Sequence, residues 1–442
     1  MRYLFIVMIV IIGSACNKIL DAGQPTDKVT SVTVYESNTT AIAALNGIYS
    51  TMSSGGPVTG NKGLSFLCGL SADEFILQAS DMNLQAVYQN ALVAGDVDCW
   101  TDFYNYIYQA NLALEGLEKS QSLKETVRKQ LKGEALFVRA FSYFYLVNLY
   151  GDVPLLLNTD YKYNAVQPRT AALTVYAQIV NDLNNAVEVL SGDFLAGDVE
   201  TVSSDRVRPG IWSAKALLAR VYLYTGEYEK AVKAADTILK KKDLFDTVPL
   251  VNVFLKNSRE AIWQLQPVKN NYTDEGYLFL VDTLAACSKS LLHAFEVGDK
   301  RQQNWVLNGY PFKYKSDLPV DNPLEYLMMI RVGELYLIRA ESKAHLKDLN
   351  GALADLNIIR KRAGIKGLKA NTQEQILSAI IQERRVELFS EWGHRWFDLK
   401  RSGNMDEVMK TKTSNWQAYQ QLYPLMESEL RANPYLKQNA GY

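Results

Sequence analysis

The sequence predicts a mostly α-helical protein, in which helical hairpins stack into a superhelix and carry long loop-rich insertions and a few short strands. Three observations support this fold class. Apolar residues recur at helical spacing through most of the chain, one hairpin pattern occurs twice with the same internal spacing, and irregular segments rich in Trp, Tyr, Asn and Asp separate the helices. With 442 residues and 48% hydrophobic content, the chain is long enough to bury a sizeable core.

The first predicted hairpin consists of residues 102–117 and 126–149. Both segments place apolar residues at i, i+3, i+4 and i+7, and the GDVP sequence that follows the second segment stops its helix. Residues 168–190 predict a further amphipathic helix, for which Thr170 or Thr174 is the candidate N-cap.

Residues 214–239 carry the most specific internal pattern, that of a tetratricopeptide unit. Ala219 and Ala231 are small, as required where two antiparallel helices cross closely. Gly226 turns the chain between the helices, and Tyr222 fills the space beside the crossing. The pattern therefore predicts a helix–turn–helix unit.

A second, weaker copy of this unit occupies residues 335–364. It repeats the twelve-residue separation between small residues with Ala340 and Ala352, but Lys347 stands where the turn glycine is expected. Residues 140–143 resemble half of a third unit. Because helical repeats are stable only when stacked, we expect these hairpins to form one superhelical scaffold.

Four less regular segments lie between the predicted helices, at residues 20–34, 52–70, 193–209 and 259–327. Within the last of them, residues 260–266 (EAIWQLQ) predict a short strand. Long irregular segments in a compact domain are usually functional or unstructured. Their Trp, Tyr, Asn and Asp content favours an ordered, ligand-facing role.

The N-terminal stretch MRYLFIVMIVIIGSACNKILD has the layout of an export signal. Arg2 supplies a positive start, residues 3–12 are apolar, and residues 13–15 are small. An apolar run of this length spans only about half of a hydrocarbon core of about 30 Å. The small residues end at Cys16, as in a bacterial lipobox, which predicts lipidation of Cys16. The alternative is a plain signal peptide with an incidental cysteine.

We therefore expect residues 1–15 to be a signal peptide and residues 16–442 to form a single domain. Its N-terminal part, about residues 16–250, holds tetratricopeptide-like hairpins and part of the ligand site. Its C-terminal part, about residues 251–442, holds a loop-rich insertion, a further hairpin and the closing helices.

The charge balance argues against nucleic acid as a partner. The chain has 47 Lys and Arg against 48 Asp and Glu, without the basic excess that phosphate backbones require. After Cys16 only Cys68, Cys99 and Cys287 remain, without CxxC spacing. We expect buried thiols with at most one disulfide.

No catalytic signature is present in the sequence, so an enzyme is not expected, nor is a cofactor or a metal site. The three histidines lack metal-ligand spacing. Asp73 and Glu74 resemble a glycosidase pair only superficially, because neighbours on an extended segment point to opposite faces. Asp96 and Asp98 are too few to indicate calcium.

The charged run at residues 383–401 is expected to be structural. Glu383, Glu387 and Glu391 share one face of a predicted helix. We expect an ion-pair network that locks this helix onto the core. The expected partners are Arg384, Arg385, Arg395 and Arg401, and the residues expected to be buried beside them are Leu388, Phe389, Trp392, Trp396 and Phe397.

Several segments together resemble the SusD/RagB family of outer-membrane nutrient-binding lipoproteins. They follow the order of the family over essentially the whole chain, and only as a set are they specific. The segments are residues 16–21, 100–117, 133–157, 168–186, 295–301, 330–342, 352–364, 383–401 and 433–442.

The resemblance implies a scaffold of four tetratricopeptide-like helix pairs, with the ligand site on the insertions. It also implies lipid anchoring at the outer membrane, facing the medium, and partnership with a SusC-like TonB-dependent transporter. The implied ligand is an oligosaccharide, or a peptide as in some members of the family.

Sugar binding requires a flat aromatic face and side chains that pair with ring hydroxyls. Residues of this type lie roughly where the resemblance places part of the site, and Trp305 is favoured because it stands in polar QQNWVLNGY without helical periodicity to bury it. The candidate ligand-binding residues are Asp73, Asp81, Asn83, Gln85, Trp100, Trp305, Asn308 and Tyr310.

Two other classes of function compete with nutrient binding. A protein-interaction adaptor of the outer membrane would need the helical groove but not the long Trp-, Tyr- and Asn-bearing insertions. An exported hydrolase is disfavoured because its motifs are missing from the sequence.

Overall fold

Helices dominate the protein, and the few strands are short, as the sequence predicts. The computed structural model describes residues 33–269, 271–316 and 324–442. The expected signal peptide and Cys16 lie outside the described residues. Among the helices that are described, none is both long and apolar enough to cross a bilayer.

The N-terminal part contains the first predicted hairpin. Its two helices pack along each other, which confirms that prediction. The α-helices here are α1 (Asn38–Met52), α2 (Leu64–Ser71), α3 (Met82–Gln89), α4 (Trp100–Lys119) and α5 (Glu125–Tyr150), with short 3₁₀ helices at Thr33–Glu36, Gly56–Val58 and Gly60–Lys62.

The next helices complete the scaffold's middle section. They are α6 (Tyr161–Asn164), α7 (Ala172–Val189), α8 (Ile211–Tyr224) and α9 (Tyr228–Leu239). Helix α5 packs extensively on α7. The half unit predicted near residue 140 is therefore completed by α7, which follows α5 in the chain after an insertion. The N-cap of α7 is Ala171, without a side-chain cap, so the predicted threonine cap is wrong.

The C-terminal part continues the superhelix. Its helices are α10 (Asp274–Leu280), α11 (Lys289–Leu292), α12 (Lys300–Trp305), α13 (Val332–His345), α14 (Leu349–Arg362), α15 (Gln373–Glu387), α16 (His394–Arg401), α17 (Met405–Lys412) and α18 (Glu427–Ala432), with 3₁₀ helices at Leu250–Asn252 and Ala418–Gln421. Helix α13 packs on α9, α14 and α15. The stacking order is therefore α4, α5, α7, α8, α9, α13, with α14 and α15 both on α13.

The two predicted repeat units are confirmed as helix pairs α8/α9 and α13/α14. Ala219, Ala231, Ala340 and Ala352 are fully buried where their helices cross. Lys347 has a φ of +66°, close to the +75° of the glycine in the first unit. The second unit therefore keeps the same left-handed turn with a lysine, although this conformation favours glycine.

The described residues form three two-stranded antiparallel sheets, all of which involve the insertions. The strands are β1 (Phe75–Leu77), β2 (Ala261–Leu265), β3 (Ala285–Cys287), β4 (Val306–Leu307), β5 (Tyr310–Pro311) and β6 (Leu327–Arg331). Strand β1 pairs with β3, β2 with β6 and β4 with β5. Strand β2 confirms the prediction from EAIWQLQ, and all five of its residues are buried.

The charged run at residues 383–401 holds a buried ion cluster, but its pairing differs from the prediction. The run is not one helix, because α15 ends at Glu387 and α16 begins at His394. The glutamates pair with cations from other elements. This central ion cluster consists of Glu260, Arg301, Lys313, Arg331, Arg362, Glu383, Glu387 and Glu391.

The arginines of the run pair with carboxylates other than these three glutamates. Arg384 pairs with Asp398 at 2.7 Å, and Arg401 pairs with Asp398 and Glu341. The five apolar residues expected to be buried in this run are all buried. The structural role of the run is thus confirmed, with a different set of partners.

Candidate ligand-binding site

An open acidic cleft lies beside the N-terminal ends of α3 and α4. Its cavity volume is about 270 Å³. Two of the predicted residues, Asp81 and Asn83, line it. The polar lining consists of Asn61, Lys62, Asp81, Asn83, Asp96 and Asp98, and the apolar lining includes Leu67, Leu84, Val87 and Val97.

Backbone hydrogen bonds hold the three aspartates of the acidic cleft in place. Asp81 caps α3, with Oδ1 accepting from the Leu84 backbone N–H at 2.8 Å. Asp96 accepts from an N–H at 2.8 Å and Asp98 from an N–H at 2.9 Å. A carboxylate has about four lone-pair sites. Each aspartate therefore keeps acceptor capacity for a ligand.

Two of the irregular segments meet next to this cleft. The Ser53 hydroxyl donates to the Gln266 carbonyl at 2.5 Å, and the Thr59 hydroxyl donates to the Glu275 carboxyl at 3.0 Å. Thr59 leads directly into Asn61 and Lys62 of the cleft. The expectation that these segments are ordered is confirmed here.

Glu275 is a buried carboxyl that forms no ion pair with any of the described residues. Burial, with a further contribution from nearby Asp274, raises the pKa of Glu275 to about 8. Its Oε1 has no hydrogen-bond partner among the described residues. At neutral pH the folded protein therefore favours the protonated form of this side chain.

A second, aromatic cleft lies on the other side of the first turn of α4. Its cavity volume is about 210 Å³. Trp100 lines the cleft and packs at a tilt against Tyr104, with ring centroids 4.8 Å apart. The lining consists of Trp100, Tyr104, Ile107, Tyr108, Asn111, Pro154, Leu156, Asn158, Asn164, Ala165, Glu429, Ala432, Asn433 and Leu436.

The aromatic cleft joins three distant parts of the chain. Helix α4 supplies the rings, the insertion at residues 154–165 supplies one wall, and the segment at residues 429–436 supplies the other. The two clefts adjoin, because Asp98 lines one and Trp100 lines the other, and Asp98 acts electrostatically on Glu429.

Comparison with known proteins matches both halves of the chain to one family. A SusD-like family model, described as "Starch-binding associating with outer membrane", matches residues 30–223, and the SusD family model matches residues 300–442. The chain belongs to the SusD family. This confirms the resemblance found in the sequence, and the family comprises carbohydrate-binding proteins associated with the outer membrane.

Curated relatives of this SusD family member match between 70% and 97% of its length. SusD-like protein P25 of Formosa agariphila is 24% identical, covering 97% of both chains. A SusD-like protein of Bacteroides ovatus is 25% identical, covering 72% of this chain and 68% of the relative.

Solved structures confirm the fold. A SusD superfamily protein from Bacteroides vulgatus has a TM-score of 0.79 at 19% identity, covering 93% of this chain and all of that structure. A laminarin-binding SusD-like protein has a TM-score of 0.74 at 23% identity, covering 91% and 99%.

In this SusD family member, Asp73 does not face either cleft but is buried in an ion pair. Arg395 Nε lies 2.7 Å from its Oδ1, and Arg385 lies 2.6 Å from its Oδ2. Burial alone would raise the pKa of Asp73, but the two arginines outweigh burial and lower it. Its neighbour Glu74 is fully buried, and burial raises the pKa of Glu74 to about 8.

The expectation that nothing buries Trp305 is wrong. Its side chain is fully buried, and its indole N–H donates to the Leu250 carbonyl at 3.1 Å. The Lys313 ammonium lies 4.8 Å from the ring centroid, so the ring packs against the central ion cluster. A ring enclosed in this way has no free face for a sugar.

Asn308 and Tyr310 belong to the β4–β5 hairpin and line neither cleft. Asn308 has a φ of +51° and Gly309 a φ of +85°, as a two-residue hairpin turn requires. The Gly309 carbonyl accepts from the Cys287 N–H at 2.7 Å. The geometry of the turn therefore accounts for the asparagine at position 308.

The remaining candidate, Gln85, is half-buried on α3, and its amide donates to the Ala79 carbonyl at 3.1 Å. No local pattern in the sequence indicates Glu429 and Asn433, since only the folded chain brings the C-terminal segment to α4. Tyr104 and Tyr108 could be found from the sequence, because their i, i+4 spacing puts them on one helix face.

Cys68, Cys99 and Cys287 are free and buried, as expected.

A larger cavity of about 850 Å³ lies in the groove of the superhelix, away from both clefts. One wall is the stacked pair of Tyr228 and His345, whose ring centroids are 4.1 Å apart. Arg401, paired with Glu341, lies at another wall. This superhelix groove has mixed polar and apolar walls.

Proposed function

We propose that this protein binds an oligosaccharide at the cell surface and delivers it to a SusC-like TonB-dependent transporter, without chemistry of its own. The observation that carries the proposal is the acidic cleft. It presents aspartates fixed by backbone N–H groups, together with amides and one lysine, at an open surface.

Ring hydroxyls need acceptors and donors in fixed positions. The aspartates supply acceptors whose orientation is already set, so binding loses little side-chain entropy. Asn61, Asn83 and Lys62 supply donors. A laminarin-binding protein among the structural neighbours shares this fold, which is compatible with a glycan ligand.

The test is titration calorimetry with a panel of oligosaccharides and peptides, using the wild type and Asn83→Ala. Asn83 is exposed, so the variant is expected to fold normally and to lose affinity for the glycan by about tenfold, the effect of roughly one hydrogen bond. The matched control is Asn184→Ala on the exposed face of α7. Binding of peptides but no glycan, or equal affinities in all three proteins, would contradict the proposal.

Cys16 is proposed to carry the lipid that holds the protein at the outer membrane. The expected outcome is that a Cys16→Ala protein is released from membranes and still binds the glycan with wild-type affinity. Fractionation followed by calorimetry measures both. Retention of the variant in the membrane fraction would show that another feature anchors the chain.

The superhelix groove favours a second candidate, a protein-interaction adaptor, because helical-repeat grooves form extended binding surfaces. Co-purification from outer membranes separates the two. Recovery of a SusC-like transporter supports delivery of a nutrient, whereas recovery of assembly factors, with no glycan bound, supports the adaptor.

A further inference from the structure

Most polar groups in the aromatic cleft are occupied in holding its walls. Asn111 donates to the Leu156 carbonyl at 3.0 Å and accepts from Arg139 at 2.8 Å. The Tyr104 hydroxyl donates to the Pro154 carbonyl at 2.7 Å. These bonds tie the insertion to α4, so the shape of the cleft is set before a ligand arrives.

The opposite wall is fixed in the same way. Asn433 donates to the Gln167 carbonyl at 2.8 Å and accepts from the Tyr435 N–H at 3.0 Å. Asn433 therefore links the C-terminal segment to the insertion, and its amide is not free to donate to a ligand.

One side-chain acceptor of the described lining is left for a ligand. Glu429 is half-buried, and burial, with a smaller contribution from Asp98, raises its pKa, although a hydrogen bond from the Trp100 side chain acts in the opposite direction. A carboxylate has about four lone-pair sites, so Glu429 keeps acceptor capacity beside that bond. The Asn164 amide donates to the Asn158 carbonyl at 2.9 Å and its Oδ1 is enclosed by the protein, so Asn164 shapes the wall of the cleft.

This acceptor selects for the chemistry of the ligand. The Glu429 carboxylate is satisfied by a group that donates hydrogen bonds, such as a sugar hydroxyl. A ligand carboxylate or sulfate would instead face Glu429 and Asp98 at close range, with like charges repelling. In the acidic cleft next door, three aspartates face a single lysine, Lys62.

The size of the aromatic cleft limits its occupant. Its volume of about 210 Å³ is below the range of about 300–1,000 Å³ typical of pockets for drug-sized ligands. Tyr108 is 47% exposed and lines the cleft, so its ring offers a face for stacking. The exposed Tyr108 ring and the Glu429 carboxylate together suit one sugar ring.

We propose that the two clefts form consecutive subsites for an uncharged oligosaccharide. One ring stacks on Tyr108 and donates a hydroxyl to Glu429, the next ring lies in the acidic cleft, and uronate or sulfated glycans are rejected. This inference rests on the proposed function and adds the class of glycan and a second subsite to it.

The experiment is a glycan array of neutral, uronate-containing and sulfated oligosaccharides, followed by titration calorimetry on the strongest neutral binder and on its single-ring component. The wild type is expected to bind neutral chains of two or more rings and to show at least tenfold weaker binding of charged ones. Tyr108→Ala is expected to weaken binding of the neutral chain about threefold to tenfold, the value of one stacking contact. The matched control, Tyr161→Ala, removes an exposed tyrosine that does not line the cleft and is expected to change nothing.

Glu429→Gln tests the rejection of charge separately from stacking. It keeps the shape of the side chain and is expected to reduce the discrimination against uronate-containing chains. Preferred binding of charged glycans by the wild type, or Tyr108→Ala and Tyr161→Ala with equal affinities, overturns the inference while leaving glycan binding intact. Failure of every glycan, neutral or charged, overturns the proposed function itself.

Discussion

The protein uses carboxylates in two opposite ways, in the central ion cluster and in the acidic cleft. Glu387 in the cluster is fully buried, with Arg331 at 2.6 Å and Arg301 at 3.0 Å. Burial alone would raise the pKa of Glu387, but the surrounding arginines hold it well below its usual range. Asp81 and Asp98 in the cleft are exposed and are held only by backbone N–H groups.

The difference shows where charge serves the fold and where it is available to a ligand. Buried carboxylates are tolerated because cations from several elements reach them, and removing one cation leaves an uncompensated charge. Exposed carboxylates stay solvated, so they lose little when left without a cation. On this view the cluster holds the scaffold together, and the cleft retains acceptors for a ligand.

The largest expected effect is on Arg331→Ala. Arg331 contacts Glu260, Glu387 and Glu391, so its removal takes one cation away from three buried carboxylates and leaves the central ion cluster with one negative charge in excess. We expect a loss of about 3–5 kcal/mol in the free energy of unfolding, measured by urea denaturation at pH 7.

The control for this variant is Arg128→Ala. Arg128 forms an exposed ion pair with Glu125 one turn away, for which we expect a loss below about 0.5 kcal/mol. Similar losses in the two variants would contradict the structural role of the central ion cluster.

Glu275 tests an intermediate case, a buried carboxyl without a cation. Because its folded-state pKa of about 8 lies above the ordinary value of 4.5, the folded chain binds more protons than the unfolded chain between these values. Its contribution to stability is therefore fully present below about pH 4.5 and is lost as the pH rises through 8.

Glu275→Gln removes this dependence. We expect the melting temperature of the variant, relative to wild type, to rise between pH 5 and pH 9, because a buried ionised group without a counterion costs more than about 1–3 kcal/mol. The exposed Glu36→Gln is the control. A difference between Glu275→Gln and wild type that is constant across this range would show that the carboxyl is not held protonated by burial.

Much of the scaffold could be predicted from the sequence because helical periodicity and the small-residue crossings are local signals. Helices α4 and α5 agree with their predicted ranges within about two residues at each end. The pairing in the central ion cluster could not be predicted. Residues as far apart as Arg301 and Glu387 meet only through tertiary packing, whereas the sequence pattern predicts pairing with the nearer arginines of the run.

The candidate site was predicted in part, for the same reason. Asp81 and Asn83 stand in a polar, irregular stretch and do line a cleft. Trp305 also stands in a polar stretch, but there the polar neighbours belong to the buried cluster, so sequence polarity gave the wrong exposure. The position of Glu429 in the site could not be predicted, because no local sequence pattern links residue 429 to residue 100.

Arg395→Ala tests the boundary between the two regions, since Arg395 pairs with Asp73 near strand β1. Asp73 keeps Arg385 as a second partner, so we expect a smaller loss than for Arg331→Ala, about 2 kcal/mol. Thermal melting and glycan titration are measured together. Unchanged stability together with abolished ligand binding would show that Arg395 belongs to the ligand site and not to the scaffold.

The smallest expected effect on stability is that of Asp81→Asn. Asparagine caps a helix about as well as aspartate, so the bond to the Leu84 N–H is kept and we expect a change within about 0.5 kcal/mol. Affinity for a neutral glycan is expected to fall, because the amide replaces one acceptor oxygen with a donor. Chemical denaturation and titration calorimetry separate the two effects. If Asp81→Asn destabilised the protein as strongly as Arg331→Ala, the carboxylates of the cleft would serve the fold as those of the cluster do, and the contrast between the regions would be lost.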